Sequence, residues 1–279
     1  KSILVTGASG FIGSNLTLEL QKRHPEAALY ALDDMRASSF KNLLGFRGDF
    51  LAYDVAQPEW KKTFSNRPLH IIFHLASITD TTVLDEKKMM YDNVEGFRNI
   101  LDLAEEKNCP VVYASSAAVY GSQKTPMKMD DAGLPNNIYG FSKWTLENMA
   151  RTHAPKVKSV GLRYFNVFGP RETFKKNAAS MIYQLYLQMK AGKRPRIFKQ
   201  GEQRRDFVYV KDVVEATLRA SEASLSTVLN VGSGKSTSFN EVIVALNEAL
   251  GSNLQPDYFD NPYDFYQDFT EADMSHTRK

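Results

Sequence analysis

The sequence has a single cysteine, Cys109, so no disulfide can close within the chain and no cysteine cluster can hold a metal. No metal site is expected. No apolar run is long enough to cross a membrane, and the start carries no signal-peptide pattern. Neither sign of charge prevails: 35 basic residues face 32 acidic ones. The net charge of +3 gives no grip on nucleic acid or on a membrane surface. There are no internal repeats and no low-complexity linker. What remains is a chain of 279 residues with 43% hydrophobic and 24% charged residues, enough to bury a sizeable core. We expect a cytoplasmic enzyme.

The chain is organised around the stretch from Ile3 to Ser14. Ile3 to Thr6 reads as a buried strand, Gly7 opens a turn, and Phe11 and Ile12 begin a helical pattern. Glycines at 7, 10 and 13 make a G-x-x-G-x-x-G. Gly7 can take positive φ, Gly10 lets a phosphate approach the backbone, and Gly13 lets helix and strand pack closely. The amides at the helix N-terminus suit a pyrophosphate. A second apolar strand, Ala28 to Leu32, ends in Asp33-Asp34. Asp33 stands 20 residues after Gly13, where a dinucleotide fold places the carboxylate for the adenosine ribose. Asp54 follows the next strand at a position suited to the adenine edge. Leu75, Ala76 and Ser77 follow the fourth strand and let a cofactor lie against the backbone. His74 before them reads as a packed end-of-strand histidine.

A helix is predicted over 86–107, with Met90, Val94, Phe97, Leu101 and Ala104 on one face. Asn93 interrupts that face. A strand over 110–114 leads to Ser115-Ser116. A helix over 137–152 then carries Tyr139 and Lys143 one turn apart, and a strand over 157–164 follows. Alternating strands and helices predict an α/β fold, a Rossmann-type doubly wound parallel sheet. After Gly169-Pro170 the pattern loosens. Residues 1–168, rejoined by 206–232, are expected to form the dinucleotide-binding domain. Residues 169–205 and 233–279 are expected to form a smaller, interleaved C-terminal substrate domain.

Tyr139-Gly-Phe-Ser-Lys143 is a Y-x-x-x-K, and on a helix residues four apart share a face. An ammonium beside a phenol favours the phenolate. Tyrosine ordinarily titrates near ~10, so acting at neutrality needs a drop of about three units, roughly 4 kcal/mol. Lys143 together with an oxidised nicotinamide is expected to supply it.

These pieces resemble the extended short-chain dehydrogenase/reductases of the nucleotide-sugar epimerase and dehydratase type. Tyr-Ala-Ser-Ser-Ala-Ala-Val-Tyr-Gly at 113–121, the segment at 163–171 and Arg-Asp-Phe-Val-Tyr-Val-Lys-Asp-Val at 205–213 extend the likeness over nearly the whole chain. The resemblance implies NAD or NADP as cofactor, with Phe11, Ile12, Asp34, Asn93 and Val167 joining the residues above in holding it. It implies that Ser116 bonds the reacting hydroxyl, that Tyr139 is the acid/base, and that Lys143 orients it and holds the nicotinamide ribose. Ala117 and Ala118 stand where a dehydratase of that family carries an acid and a base, so dehydration is not expected.

A narrower likeness is to the ADP-L-glycero-D-manno-heptose 6-epimerases, through Gly169-Pro-Arg-Glu-Thr-Phe-Lys175, Met89-Met90 and the segment from Tyr266 to Asp273. By position it makes Lys175 a second acid/base and sets Asn166, Asn177, Arg205 and Tyr266 against a nucleotide-sugar. Thr173-Phe174 departs from that family's Gly-His. A UDP-hexose 4-epimerase is the runner-up. A non-catalytic NAD(P)-binding sensor or scaffold would not need Ser116, Tyr139 and Lys143 together. The apolar helix faces around Met90 and Leu146 predict a homo-oligomer. On the cofactor's 2′ position the signals oppose each other: Asp33 and Asp34 repel a phosphate, while Arg36 would attract one.

Overall fold

The computed structural model describes residues 1–79, 85–260 and 268–278, with the side chains of 176, 177 and 199 left aside. The first half is a regular alternation: β1 (Ser2–Thr6), α1 (Phe11–Arg23), β2 (Ala28–Leu32), β3 (Asp49–Leu51), β4 (Ile71–His74), α2 (Glu86–Met90), α3 (Gly96–Lys107), β5 (Val111–Ser116), α4 (Ile138–His153) and β6 (Ser159–Tyr164). Then come β7 (Asn166–Phe168), α5 (Met181–Lys190), β8 (Arg196–Phe198), β9 (Arg204–Tyr209), α6 (Val210–Ala220), β10 (Thr227–Val231), β11 (Ser236–Ser238), α7 (Phe239–Leu250) and β12 (Asp257–Phe259).

Seven strands form one parallel sheet in the order β10-β6-β5-β4-β1-β2-β3. Its strands β1, β4 and β6 are buried along their whole length, so they read as near-continuous apolar runs rather than alternating ones. Alternate side chains still go to opposite layers. Leu4 packs with Ile72, Phe97, Leu101 and Leu146 on one side. Ile3 and Val5 pack with Leu16, Leu20, Val213 and Val214 on the other. The chain steps outward from β1 to β2 and β3, then returns to place β4 on the opposite flank of β1. That reversal opens a crevice above the C-terminal ends of β1 and β4, where ligands bind in doubly wound sheets.

The remaining strands form a β11-β9-β7 sheet and a β12-β8 pair. Of residues 206–232, β10 thus joins the large sheet, while β9 pairs with β7 and β11. A third core, from Leu185, Met189, Ile197, Phe239, Val242 and Ile243, sits between α5 and α7. Buried Asp206 fastens this part together. It accepts from the Ser233 amide (2.7 Å), the Ser233 hydroxyl (2.7 Å), the Gly234 amide (2.9 Å) and the Ala272 amide (3.0 Å).

The structure departs from the expected helix over 86–107. Residues Tyr91–Glu95 form a π turn between α2 and α3. The extra residue in that turn lets Asp92 and Asn93 point inward alongside Val94. The short strands β7, β8, β11 and β12 also lay outside the predicted set; each is three residues long, too short to show a period of two.

Candidate active site

The glycine turn is built by close approach. A Cβ on Gly7, which has φ of +66°, would fall 2.6 Å from the Ala76 nitrogen, and one on Gly13 would fall 1.9 Å from the Gly7 carbonyl oxygen. No other residue fits either place. At Gly10 the sole neighbour within 4 Å of such a Cβ would be the Gly7 oxygen at 3.1 Å, so that side of the turn faces open space. Gly10 also caps α1 without a side chain, leaving the first helical amides to a ligand. These features fit a dinucleotide pyrophosphate. Phe11 is buried and Ile12 half-buried at the same helix start.

Asp33 stands at the end of β2 as its position predicts. Its carboxylate accepts from the Ser9 amide (3.0 Å), the Met35 amide (2.8 Å) and the Ser38 hydroxyl (3.1 Å), which holds it beside the glycine turn. Asp34 and Asp54 flank Arg36, at 2.6 and 3.4 Å, and Asp92 lies 2.9 Å from the same guanidinium. Leu75 and Ala76 abut the glycine turn through the Thr6 carbonyl and hydroxyl. Ser77 Oγ donates to the Ile78 carbonyl at 3.2 Å. The Asn93 amide also turns to Ile78, accepting from its nitrogen at 2.8 Å and donating to its oxygen at 3.2 Å. It donates as well to Ser142 Oγ at 3.0 Å. Asn93 therefore ties the loop after β4 to α4. Val167 is half-buried in β7, against the layer that holds α1. His74 is buried, stacked on Phe97 with 5.4 Å between ring centroids, and bonded to Thr6 through Nδ1 at 2.8 Å.

Across the crevice, Asn137 caps α4 by accepting from the Gly140 amide at 2.8 Å. A Cβ on Gly140 would lie 2.5 Å from the Ala118 oxygen, so α4 starts directly against the turn after β5. That contact brings Tyr139 beside Ser116, whose hydroxyl pulls the phenol's pKa down. Ser116 Oγ also accepts from the Ala118 amide at 3.1 Å. Lys143 is buried, with Nζ 5.7 Å from the centre of the Tyr139 ring and donating to the Ala114 carbonyl at 2.9 Å.

Burial pushes the Lys143 ammonium down to about 7. Burial also raises the Tyr139 phenol above its usual range, against the lowering pull of Ser116. The expected drop at Tyr139 is therefore absent from the protein by itself, because desolvation of the phenolate outweighs the lowering influence of the Ser116 hydroxyl.

Lys175 is half-buried in a helical turn over Thr173–Ala178, with Nζ 5.6 Å from the centre of the Phe11 ring. Burial lowers its pKa, and Glu172 partly offsets this. Asn166 begins β7 and accepts from Thr270 Oγ1 at 3.3 Å. Arg205 lies buried within β9, with Nη1 donating to the Arg204 carbonyl at 2.8 Å. Its neighbour Arg204 stitches β9 to β11 through the Ser236 carbonyl at 2.9 Å. Tyr266 and the Asn177 side chain lie outside the described residues.

Sequence reasoning missed Asn15 and Asn42, whose partners are backbone groups far along the chain, and Glu172, which accepts from the Gly169 and Ser180 amides of its own loop. It also missed the buried pair Glu147–Arg163, at 2.7 Å, which receives the Ser115 hydroxyl. An acid on the inner face of α4 opposite an arginine in β6 was the available signal.

The model of the NAD dependent epimerase/dehydratase family matches residues 3–232. The fold is similar to that of the Helicobacter pylori ADP-L-glycero-D-manno-heptose-6-epimerase, at 40% identity over 99% of this chain and 88% of that one, with a TM-score of 0.93. It is similar to the Thermotoga maritima UDP-glucose 4-epimerase bound to UDP-glucose, at 27% identity over 100% and 91%, TM-score 0.93. It is also similar to the Thermus thermophilus UDP-glucose 4-epimerase in complex with NAD, at 26% identity over 100% and 92%, TM-score 0.86. A glycine turn at the switch point and a serine, tyrosine and lysine gathered across the same crevice agree with this likeness. The chain belongs to the NAD dependent epimerase/dehydratase family, and within it to the NAD-dependent nucleotide-sugar epimerases.

Proposed function

We propose that the protein is an ADP-glycero-manno-heptose 6-epimerase that uses Tyr139 and Lys175 as its two acid/base groups. The observation that carries this reading is the placement of Lys175. The segment after β7 brings it, half-buried, against the start of α1 at Phe11, with its pKa lowered by burial. The 40% identity with the Helicobacter pylori heptose epimerase supports the substrate.

Tyr139 removes the proton from the sugar hydroxyl, with the Ser116 hydroxyl beside its phenol and Lys143 beneath its ring. A dinucleotide held at the glycine turn would supply hydride acceptance and return, and its oxidised nicotinamide would add the positive charge that favours the Tyr139 phenolate. Inversion requires the hydride to leave one face of the carbon and return to the other. The ketone oxygen must swing between two positions, and one phenol does not reach both. A lysine with a lowered pKa serves the second position. Asn166 and Arg205 are read as contacts to the nucleotide-sugar, together with Asn177 and Tyr266.

Two coarser points belong to the same reading. Residues 1–168 with 206–232 serve the dinucleotide, and 169–205 with 233–279 serve the sugar. The protein acts in the cytoplasm as a homo-oligomer; exposed Tyr91 and Phe141, on the π turn and α4, support a paired face. Among the described residues no helix is long and apolar enough to cross a membrane.

The test compares Lys175→Met, Lys176→Met and Tyr139→Phe for epimerisation and, separately, for cofactor reduction. Lys175→Met should lose epimerisation at least a hundredfold while Lys176→Met keeps it. Full activity in both lysine variants would leave a one-base mechanism and remove the heptose reading with it.

A further inference from the structure

The segment that carries Lys175 is fastened to the glycine turn as well as to its own lobe. Glu172, a buried carboxylate, accepts from the Gly169 amide at 2.9 Å and the Ser180 amide at 2.8 Å, closing residues 169–180 into a loop. Asn15 on α1 then donates to the Pro170 carbonyl at 2.9 Å, and Arg171 Nη1 donates back to Asn15 Oδ1 at 3.3 Å. Arg171 Nε donates to the Asn42 carbonyl at 3.2 Å. Asn42 Nδ2 donates to the Arg171 carbonyl at 3.3 Å and to the Ser9 carbonyl at 3.0 Å. Ser9 is a residue of the turn between Gly7 and Gly10.

Arg171 makes these bonds from a φ of +75°, a conformation a non-glycine residue holds only where its surroundings impose it. Strained backbone, two buried asparagine amides and a loop laid on the start of α1 all meet at one place. Epimerisation involves no net oxidation. If the cofactor left in its reduced form, the cycle would stop and a ketone would be released. A lasting hold on the dinucleotide is therefore a requirement of the chemistry.

We infer that Asn15, Asn42 and Arg171 form a clasp that holds the 169–180 loop across the glycine turn and keeps the dinucleotide bound from one turnover to the next. This rests on the glycine turn being the dinucleotide site and not on which sugar is epimerised. Arg171 is a positioning residue here, acting through the loop.

The test uses holoenzyme loaded with NAD, passed rapidly into cofactor-free buffer, with the bound nucleotide followed over time by its absorbance. Arg171→Gly removes the guanidinium and relieves the positive φ, so it should fold. Asn42→Ala is the second variant. Both should release NAD at least tenfold faster than the parent, with the circular dichroism of Arg171→Gly unchanged. Release from Arg171→Gly within twofold of the parent overturns the clasp, as does a parent that exchanges its NAD within seconds. Epimerisation lost in Lys175→Met but normal release from Arg171→Gly would refute the clasp and leave the proposed reaction standing.

Discussion

Replacing Lys143 with methionine should make the protein more stable and almost inactive. Lys143 is 1% exposed, and burial brings its pKa from 10.5 down to about 7. A fall of about 3.5 pH units is worth about 5 kcal/mol at 1.36 kcal/mol per unit. The substitution also removes the bond to the Ala114 carbonyl, about 1 kcal/mol. The net gain is about 3–4 kcal/mol, which for a chain of this length raises Tm by about 6–8 °C.

The pH dependence gives the sign. Between about 7 and 10.5 the unfolded lysine holds more protons than the folded one, so the parent gains stability as pH rises through that window. The advantage of Lys143→Met should be full below pH 7 and vanish near 10.5. Calorimetry of both cofactor-free proteins from pH 6 to 10 measures it. The same variant should lose about a hundredfold or more in kcat, because Tyr139 loses its neighbouring cation. A variant less stable than the parent, or a gap that ignores pH, would refute the argument that this lysine is held at the expense of stability for function.

Two further outcomes follow from charge clusters. Arg36 is held by Asp34, Asp92 and Asp54, and Asp92 also takes Lys88 at 2.8 Å, so a 2′-phosphate meets a guanidinium already committed. Titration of cofactor-free protein should show NADP binding at least tenfold weaker than NAD, about 1.4 kcal/mol. The double variant Asp34→Asn with Asp54→Asn should narrow the gap; equal binding by the parent would count against this. Glu147→Ala strands the buried Arg163 guanidinium, and denaturant unfolding should show a loss of about 3–5 kcal/mol. A loss below 1 kcal/mol would mean that water or Tyr120 replaces the carboxylate.

The first sheet was legible because each strand is an apolar run followed by a turn residue with a local job. Gly7 and Asp33 stand at strand ends and Tyr139 and Lys143 one helical turn apart, so spacing along the chain finds them even though their contacts, Ala76, Ser9 and Ala114, are distant. The π turn was hidden because Asn93 breaks the period in the same way an exposed residue would. Its partners, Ile78 and Ser142, lie 15 and 49 residues away. The contacts of Asn42 with Ser9 and Arg171, over 33 and 129 residues, have no local pattern at all. The raised pKa of Tyr139 was missed for a related reason: the Y-x-x-x-K spacing shows the cation, whereas the burial that opposes it comes from the whole crevice.

The proposed reaction inverts a nucleotide-sugar by a hydride that leaves and returns without mixing with solvent. NMR of the purified protein incubated in deuterated water with ADP-glycero-manno-heptose, and in parallel with UDP-glucose, tests it most directly. The expected result is inversion at carbon 6 of the heptose with no deuterium at that carbon, and UDP-glucose left unchanged. Deuterium at the inverted carbon, or turnover of UDP-glucose at carbon 4 with the heptose untouched, would contradict it.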